Sequence, residues 1–447
     1  MPPAISWADV AAIAAGGGNV GVYGLGREGT ANVRACLARG VRPVLVDDAP
    51  TGDVEGLPVV PTAEGGLDLL RGCALVVKTP GISRYAPPVR ALREAGVPVR
   101  GGVGLWLAER AAAGDAGRVV AITGTKGKST TTAIAAHLGR GLGLDVAAVG
   151  NIGAPPHDPD AAASPDLWVL EVSSYQAADV EVGPHVVGVT SLAPDHLPWH
   201  EGSVERYYAD KLSLARADGV RRVIANGDSA LLRARPELAG DAVTWVGLDT
   251  DASWVDDLQV LGAHNRRNAL IARALLQAAG VPGADDDAAL AAAARGFGGL
   301  ESRLQRVATV DGVDFVDDGL STNVLPTLAA VEAFAERRVA LIVGGQSRGI
   351  DYEPLATGLR ARTQELLLLA TPDNGPDILA AYERAGGGGP LVTARAVGSL
   401  AEAVAEGFAW ARPSGVVLLS PAAPSFGLFR DYRDRGAAFA AAAHGCG

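Results

Sequence analysis

Residues 118–138 read as three consecutive pieces of one device. Arg118-Val-Val-Ala-Ile122 is an apolar run of the length of a buried parallel strand, Thr123-Gly-Thr-Lys-Gly-Lys-Ser-Thr130 is a glycine- and lysine-bearing loop, and Thr131-Thr-Ala-Ile-Ala-Ala-His-Leu138 has helical composition. A strand that feeds a helix through a tight glycine turn belongs to a parallel sheet with helices packed on its faces, so this segment commits its surroundings to an α/β architecture. Loop amides and the first turn of such a helix also form a cradle for an anion.

Lysine is scarce: four stand against 35 arginines, and two of the four, Lys126 and Lys128, lie in this loop. Where arginine is the default cation, a retained lysine points to chemistry that a planar, always-charged guanidinium cannot perform. A triphosphate needs backbone N–H donors, glycines that admit it closely, an ammonium on the outer phosphates and a hydroxyl on magnesium. Gly124, Thr125, Lys126 and Gly127 fit the cradle, Lys128 the ammonium, and Ser129 or Thr130 the hydroxyl. The common P-loop spacing would place glycine at 122, where this chain has Ile122. An ordinary glycine-rich turn without a ligand is the alternative.

Strand-like runs alternate with alanine- and leucine-rich stretches almost throughout, which predicts α/β layers with parallel sheets. A length of 447 residues calls for two or three domains. Glycine-rich breaks at 111–117 and 296–302 divide the chain into 1–112, 113–301 and 302–447. No apolar run approaches the roughly 18 residues of a membrane span, and the N-terminus lacks a signal-peptide layout, so a cytoplasmic protein without membrane insertion is expected. Cys36, Cys73 and Cys446 are too scattered for a disulfide framework or zinc knuckle, and a net charge of −11 argues against a nucleic-acid partner.

Near the N-terminus, Asn19-Val-Gly-Val-Tyr23 leads into Gly24-Leu-Gly-Arg-Glu-Gly29, and Val44-Leu-Val-Asp-Asp48 ends in acid. This is the dinucleotide fingerprint, which by itself suggests an NAD-dependent oxidoreductase. The same layout serves any nucleotide diphosphate laid on a helix N-terminus, or a tight packing turn with no ligand.

In the middle of the chain, the strand-like Leu167-Trp-Val-Leu170 ends in Glu171, well placed to hold Mg²⁺ beside a nucleotide loop. Pro194-Asp-His-Leu-Pro-Trp-His200 carries two histidines four apart, but Pro198 between them would break the helix that a zinc pair needs. His200 is expected as a loop or capping residue. Val204-Glu-Arg-Tyr-Tyr-Ala-Asp-Lys-Leu-Ser-Leu214 predicts an amphipathic helix bearing Lys211, and Ala263-His-Asn-Arg-Arg-Asn-Ala269 opens a helix with Asn265 and Asn268 three apart, able to read an adenine edge. For Asn265 a helix-capping role competes.

The loop Gly-Thr-Lys-Gly-Lys-Ser-Thr, the strand-end Glu171, Asp195-His196, Lys211 and His264-Asn-Arg-Arg-Asn268, in this order, resemble the Mur ligases, and the loop also resembles that of folylpolyglutamate synthases. The resemblance spans the chain. It implies an α/β protein of three domains: an N-terminal Rossmann-like domain for a UDP substrate, a central P-loop ATPase-like parallel sheet and a C-terminal Rossmann-like domain for an amino acid. It places Gly24, Gly26, Arg27, Glu28, Gly29, Asp47, Thr79, Pro80, Gly81 and Asn151 around the UDP substrate; Ala49 departs from the arginine often found near Asp47. With the loop, Asn265, Asn268, Arg303 and Asp318 would contact ATP. Ser129, Glu171, His196 and Lys211 would hold Mg²⁺, Lys211 as a carbamate, and Lys128, Lys211 and His196 would be catalytic. Carbamylation requires a neutral primary amine, which arginine cannot offer.

Farther along, Val313-Asp-Phe-Val-Asp-Asp318 precedes Gly319-Leu-Ser-Thr-Asn323, which is similar to the family's Asp-Ser-Lys-Ala-Thr-Asn with Leu320 in place of lysine. Arg348 stands where the D-glutamate-adding ligases carry lysine, and Leu418-Leu-Ser-Pro-Ala-Ala-Pro-Ser-Phe426 with Tyr432 matches their carboxylate region. Thr322, Arg348, Ser425 and Tyr432 are therefore expected to seat the amino acid. Gly319-Leu-Ser321, Gln346-Ser-Arg348 and Ser203-Val-Glu-Arg-Tyr-Tyr208 look more like the sub-branch that adds L-glutamate. What the resemblance implies is an ATP-dependent ligase of peptidoglycan precursor synthesis, acting as a monomer, that joins L-glutamate to UDP-N-acetylmuramoyl-L-alanine through an acyl phosphate. D-glutamate is the alternative; an NAD-dependent oxidoreductase and a catalytically inert nucleotide binder belong to other classes.

Overall fold

A computed structural model describes residues 4–50, 52–161, 164–248, 252–386 and 392–447. They form two compact units, Met1–Asp257 with Arg267–Arg295, and Leu258–Arg266 with Gly296–Gly447.

The first unit contains two sheets. One comprises β1 (Val20–Tyr23), β2 (Val44–Asp47), β3 (Val59–Pro61), β4 (Leu75–Lys78) and β5 (Val99–Gly101) in the order β3-β2-β1-β4-β5, all parallel. Strands β1 and β4 are buried at every position, which is why they read as unbroken apolar runs rather than alternating ones. The strand order reverses between β1 and β4, so the crevice of this sheet opens beyond Tyr23 and Lys78. There Gly29 lies on the Gly24 carbonyl, which a Cβ would overlap; this packing requires glycine.

The other sheet comprises β6 (Val119–Thr123), β7 (Val146–Gly150), β8 (Leu167–Glu171), β9 (Val186–Val189), β10 (Arg222–Asn226) and β11 (Val243–Val246), parallel throughout in the order β11-β10-β9-β6-β8-β7. Strand β6 is central, with Ile122 opposite Glu171 and Thr123 opposite Val189. The helix after it runs Lys128–Gly141, starting three residues earlier than its composition suggested, because Gly127 adopts a left-handed φ of 88° and serves as its N-cap. Ser129 and Thr130 consequently stand in its first turn. A shared core that includes Trp106 edge-on to Trp168 (5.6 Å between ring centroids) joins the two sheets.

The second unit holds β12 (Gln305–Val310), β13 (Val313–Asp317), β14 (Val339–Val343), β15 (Leu366–Ala370), β16 (Val392–Ala396) and β17 (Val416–Leu419) in the order β12-β13-β17-β14-β15-β16, with a hydrophobic core on each face. An all-parallel sheet was expected, and here the expectation fails: β12 and β13 pair antiparallel. Asp311 and Gly312 join them, both at positive φ (48° and 79°), which suits a two-residue hairpin turn and leaves no length for a parallel crossover.

Candidate active site

The loop between β6 and the Lys128–Gly141 helix is sewn to the segment after β9. The amides of Thr125 and Lys126 donate to Ser191 O and Oγ at 2.9 and 2.8 Å, and Thr190 Oγ1 donates to Lys126 O at 2.6 Å. Thr125 Oγ1 bonds Tyr207 OH at 2.8 Å and accepts the Ala193 amide at 3.0 Å. A Cβ on Gly127 would lie 2.6 Å from Asn268 Oδ1, so glycine lets that asparagine approach the cradle. Asn265 donates its Nδ2 to Leu261 O at 2.9 Å from the third position of the Ala263–Ala278 helix, inside the helix rather than at its cap.

Two lysines converge on the cradle. Lys128 Nζ donates to Gly124 O at 2.8 Å and Thr125 O at 3.2 Å, and Lys211 Nζ donates to Gly124 O at 3.0 Å. Lys211 lies on the Val204–Leu212 helix, one turn from Tyr207, whose ring it faces at 5.0 Å. It is 2% exposed; burial and then the charge of Lys128 hold its pKa well below that of an ordinary lysine. Glu171 is buried: Oε1 accepts from Asn151 Nδ2 at 2.5 Å, and Oε2 has no hydrogen-bond partner. Asn151, expected at the UDP substrate, thus orients the metal candidate. His196, with a half-exposed ring, lies beside Asp195, which pairs with Lys126 at 3.3 Å. Partial enclosure and the three lysines, opposed by Asp195, hold its imidazole below the ordinary value and therefore neutral, as a metal ligand must be. Among the described residues no three His, Cys, Asp or Glu side chains form a ready-made metal cage.

The two histidines of the 196–200 segment diverge. His200 is fully buried on a short 3₁₀ helix, with Nδ1 2.7 Å from Asp210 Oδ2 and Nε2 3.4 Å from Ser174 Oγ. This corrects the expectation of a loop or capping residue: an Asp210 invisible in the local pattern draws the imidazole into the core. Nothing joins it to His196 as a zinc pair.

The crevice of the first sheet is tied to the same region. Trp199 Nε1 donates to Pro80 O at 2.9 Å and Ser83 Oγ to Trp199 O at 2.6 Å, fixing the Thr79–Gly81 turn. Lys78 is buried and paired with Asp179. Arg27 donates to Gly153 O and Asn151 O at 3.0 Å, and Glu28 accepts from Gln176 Nε2 at 2.7 Å. Asp47 gives its oxygens to the amides of Leu25 (2.7 Å) and Ala49 (2.9 Å), bracing the Gly24–Gly29 turn rather than facing outward as a ribose ligand would.

In the second unit, Asp318 is buried, accepting from Ser420 Oγ at 2.7 Å and Leu304 N at 3.2 Å; burial raises its carboxyl to about 6. Arg303 is exposed. Ser425 is buried, Tyr432 half-buried, and Thr322 and Arg348 exposed. They stand on the segments following β13, β14 and β17, at one edge of the sheet. Ser425 and Arg435 border a cavity of about 210 Å³ with Gly344, Gly345 and Thr371.

Comparison with known proteins gives the family. Residues 122–265 match the Mur ligase middle domain and 302–423 the Mur ligase glutamate ligase domain. The chain is 40% identical to a UDP-N-acetylmuramoyl-L-alanine--L-glutamate ligase of Micromonospora sp., over 95% of this chain and 96% of that one. It is 38% identical to the protein of that name from Xanthomonas axonopodis pv. citri, over 94% of each. This chain belongs to the Mur ligase family.

Solved Mur ligases share its fold. The UDP-N-acetylmuramate-alanine ligase MurC of Thermotoga maritima matches with a TM-score of 0.54 at 19% identity, over 96% of this chain and all of that one. The MurF ligase of the same organism, in complex with ADP, matches at 0.57 and 15%, over 96% and 95%. As a member of the family the chain is an ATP-dependent, amide-forming ligase with the three-domain α/β architecture. No helix among the described residues is long and apolar enough to cross a membrane.

Three residues of this Mur ligase escaped the sequence reading. Tyr207 reaches the loop through Thr125, Asp210 anchors His200, and Arg435 lies buried in the second unit. The spacing of Tyr207 and Lys211, one helical turn apart, was a usable signal; nothing local set Asp210 or Arg435 apart.

Proposed function

We propose that this Mur ligase joins L-glutamate to UDP-N-acetylmuramoyl-L-alanine, converting ATP to ADP and phosphate, in cytoplasmic peptidoglycan precursor synthesis, and that it acts as a monomer. The observation that carries the chemistry is the meeting of Lys128 and Lys211 on the Gly124 carbonyl, on a loop whose parent strand pairs with the one ending in Glu171. The names of the relatives support L-glutamate over D-glutamate.

Glu171 fits magnesium: a buried carboxylate oxygen without a partner is what a hard cation would occupy. Ser129, His196 and carbamylated Lys211 would complete its protein ligands, and the ion would neutralise phosphate charge. Lys128 holds the outer phosphates, and the loop amides with Asn265, Asn268, Arg303 and Asp318 seat the nucleotide. The crevice residues Gly24, Gly26, Arg27, Glu28, Gly29, Thr79, Pro80 and Gly81, together with Asn151, hold the UDP moiety, and Asp47 braces their turn from behind. The alanine carboxylate attacks the γ-phosphorus, ADP leaves, and the glutamate amine displaces phosphate from the acyl carbon. Positioning and electrostatics do the work in such a transfer. Thr322, Arg348, Ser425 and Tyr432 seat the two carboxylates of glutamate and leave its amine free.

The test is phosphate release with UDP-N-acetylmuramoyl-L-alanine and each glutamate enantiomer at saturating ATP. Higher kcat/KM for L-glutamate is expected. A preference for D-glutamate of about tenfold, or about 1.4 kcal/mol, would overturn the reading. Glutamate-dependent phosphate release with no change in nicotinamide absorbance separates it from a dehydrogenase.

A further inference from the structure

Arg435 binds to the backbone of three separate turns at once. Its Nη2 donates to Gly319 O at 2.8 Å and Ala423 O at 3.3 Å, and its Nη1 to Ala423 O at 3.3 Å and Gly344 O at 3.5 Å. Gly319 opens the turn that carries Thr322, Gly344 the turn that carries Arg348, and Ala423 lies two residues before Ser425. These turns follow β13, β14 and β17, which are neighbours in the sheet. Tyr432 stands one turn before Arg435 on the Tyr432–His444 helix. The three turns that carry Thr322, Arg348 and Ser425 thus meet at one guanidinium, on the helix that begins with Tyr432.

The arrangement demands arginine. The side chain is 3% exposed, and a planar fork with several fixed N–H directions can reach three carbonyls that one ammonium cannot span. The helix backbone beside it lies close to Asp317: a Cβ on the adjacent Gly436 would lie 2.5 Å from Asp317 Oδ2. Burial lowers its pKa to about 10, which leaves it charged at neutral pH. Carbonyl oxygens are weaker acceptors than a carboxylate, so a cation placed among them serves to hold backbone rather than to form an ion pair.

We propose that Arg435 is a positioning residue for the amino-acid substrate: by clamping the turns after β13, β14 and β17 it sets the spacing of Thr322, Arg348, Ser425 and Tyr432, and so controls glutamate affinity independently of the nucleotide and UDP-substrate sites. This rests on the reading that the second unit binds glutamate.

The experiment compares the full-length enzyme with Arg435→Lys and Arg435→Met, measuring kcat and separate KM values for glutamate, ATP and UDP-N-acetylmuramoyl-L-alanine. The KM for glutamate is expected to rise on the order of tenfold to a hundredfold, the cost of displacing a substrate by a fraction of an ångström to about 1 Å, with the other two KM values within about twofold. Arg435→Lys, which keeps the charge, should lie between wild type and Arg435→Met. Equal rises in all three KM values, an unchanged glutamate KM, or an Arg435→Lys protein that has lost its secondary structure by circular dichroism would each overturn the proposal. Wild-type enzyme that releases no phosphate with either enantiomer of glutamate would instead refute the underlying function.

Discussion

Lys211 and Lys128 share one acceptor: both ammonium groups donate to the carbonyl oxygen of Gly124, at 3.0 and 2.8 Å. Two cations on one oxygen, one of them buried, favour loss of a proton from the buried one. A neutral amine is what carbon dioxide needs for carbamate formation, and the product would bring an oxygen ligand to magnesium in place of a positive charge.

Lys211→Ala is therefore expected to turn over slowly and to recover in part when short carboxylates are added. Lys211→Arg should remain as impaired as Lys211→Ala, because arginine stays charged. Initial rates of phosphate release check this, and a Lys211→Arg enzyme as active as wild type rules the carbamate out.

The role proposed for Lys128 sets its ammonium on the outer phosphates, where charge develops during transfer. Lys128→Ala should lower kcat by at least about a hundredfold, the scale of losing one strong electrostatic contact, with an unchanged thermal unfolding midpoint. A mutant turning over at the wild-type rate would remove the nucleotide-site assignment.

The central strands and loop were legible because β6 and β8 are continuous apolar runs punctuated by Gly124 and Glu171, a signal that needs only neighbours in sequence. What stayed hidden depends on distant partners. His200 looked like a loop residue because Asp210 and Ser174, which draw it inward, lie ten and 26 residues away. Arg435 could not be distinguished among 35 arginines, since its role comes from three carbonyls between 12 and 116 residues away. The antiparallel edge was written in Asp311-Gly312, but the alternation of strands and helices on either side outweighed it.

Glu28 provides a pH test. The residue is partly exposed while its Oε1 is enclosed without a partner, and burial raises its pKa from 4.5 to about 7, against the pull of Gln176 and Lys78. Between those values the folded protein keeps a proton that the unfolded chain releases. The associated stability is complete below about pH 4.5 and is lost as pH rises through about 7. Glu28→Gln retains the shape without a charge, so it should match wild type near pH 4 and exceed it by about 2 kcal/mol at pH 8, a figure reduced for the residue's partial exposure. Urea unfolding at both pH values checks this; a difference independent of pH would contradict it.

The last prediction concerns Asp210, which precedes Lys211 on its helix. One carboxylate oxygen accepts from Tyr85 OH at 2.7 Å and the other lies 2.7 Å from His200 Nδ1. The same helix therefore carries Lys211 to Gly124 and is anchored through Asp210 to Tyr85 of the first sheet's crevice. Asp210→Ala would strand a buried imidazole and a phenol, each costing about 1–3 kcal/mol when its partner is lost. Tyr85→Phe removes one hydrogen bond and should cost about 1 kcal/mol. Because both changes act on one carboxylate, the double variant should fall short of the sum by about 0.5–3 kcal/mol. Displacement of the helix should also lower kcat for Asp210→Ala more than for Tyr85→Phe. Unfolding free energies of the two single variants and the double variant decide the matter: additivity to within about 0.3 kcal/mol would mean that Tyr85 and Asp210 act separately, and that the crevice is not coupled to Lys211 through this carboxylate.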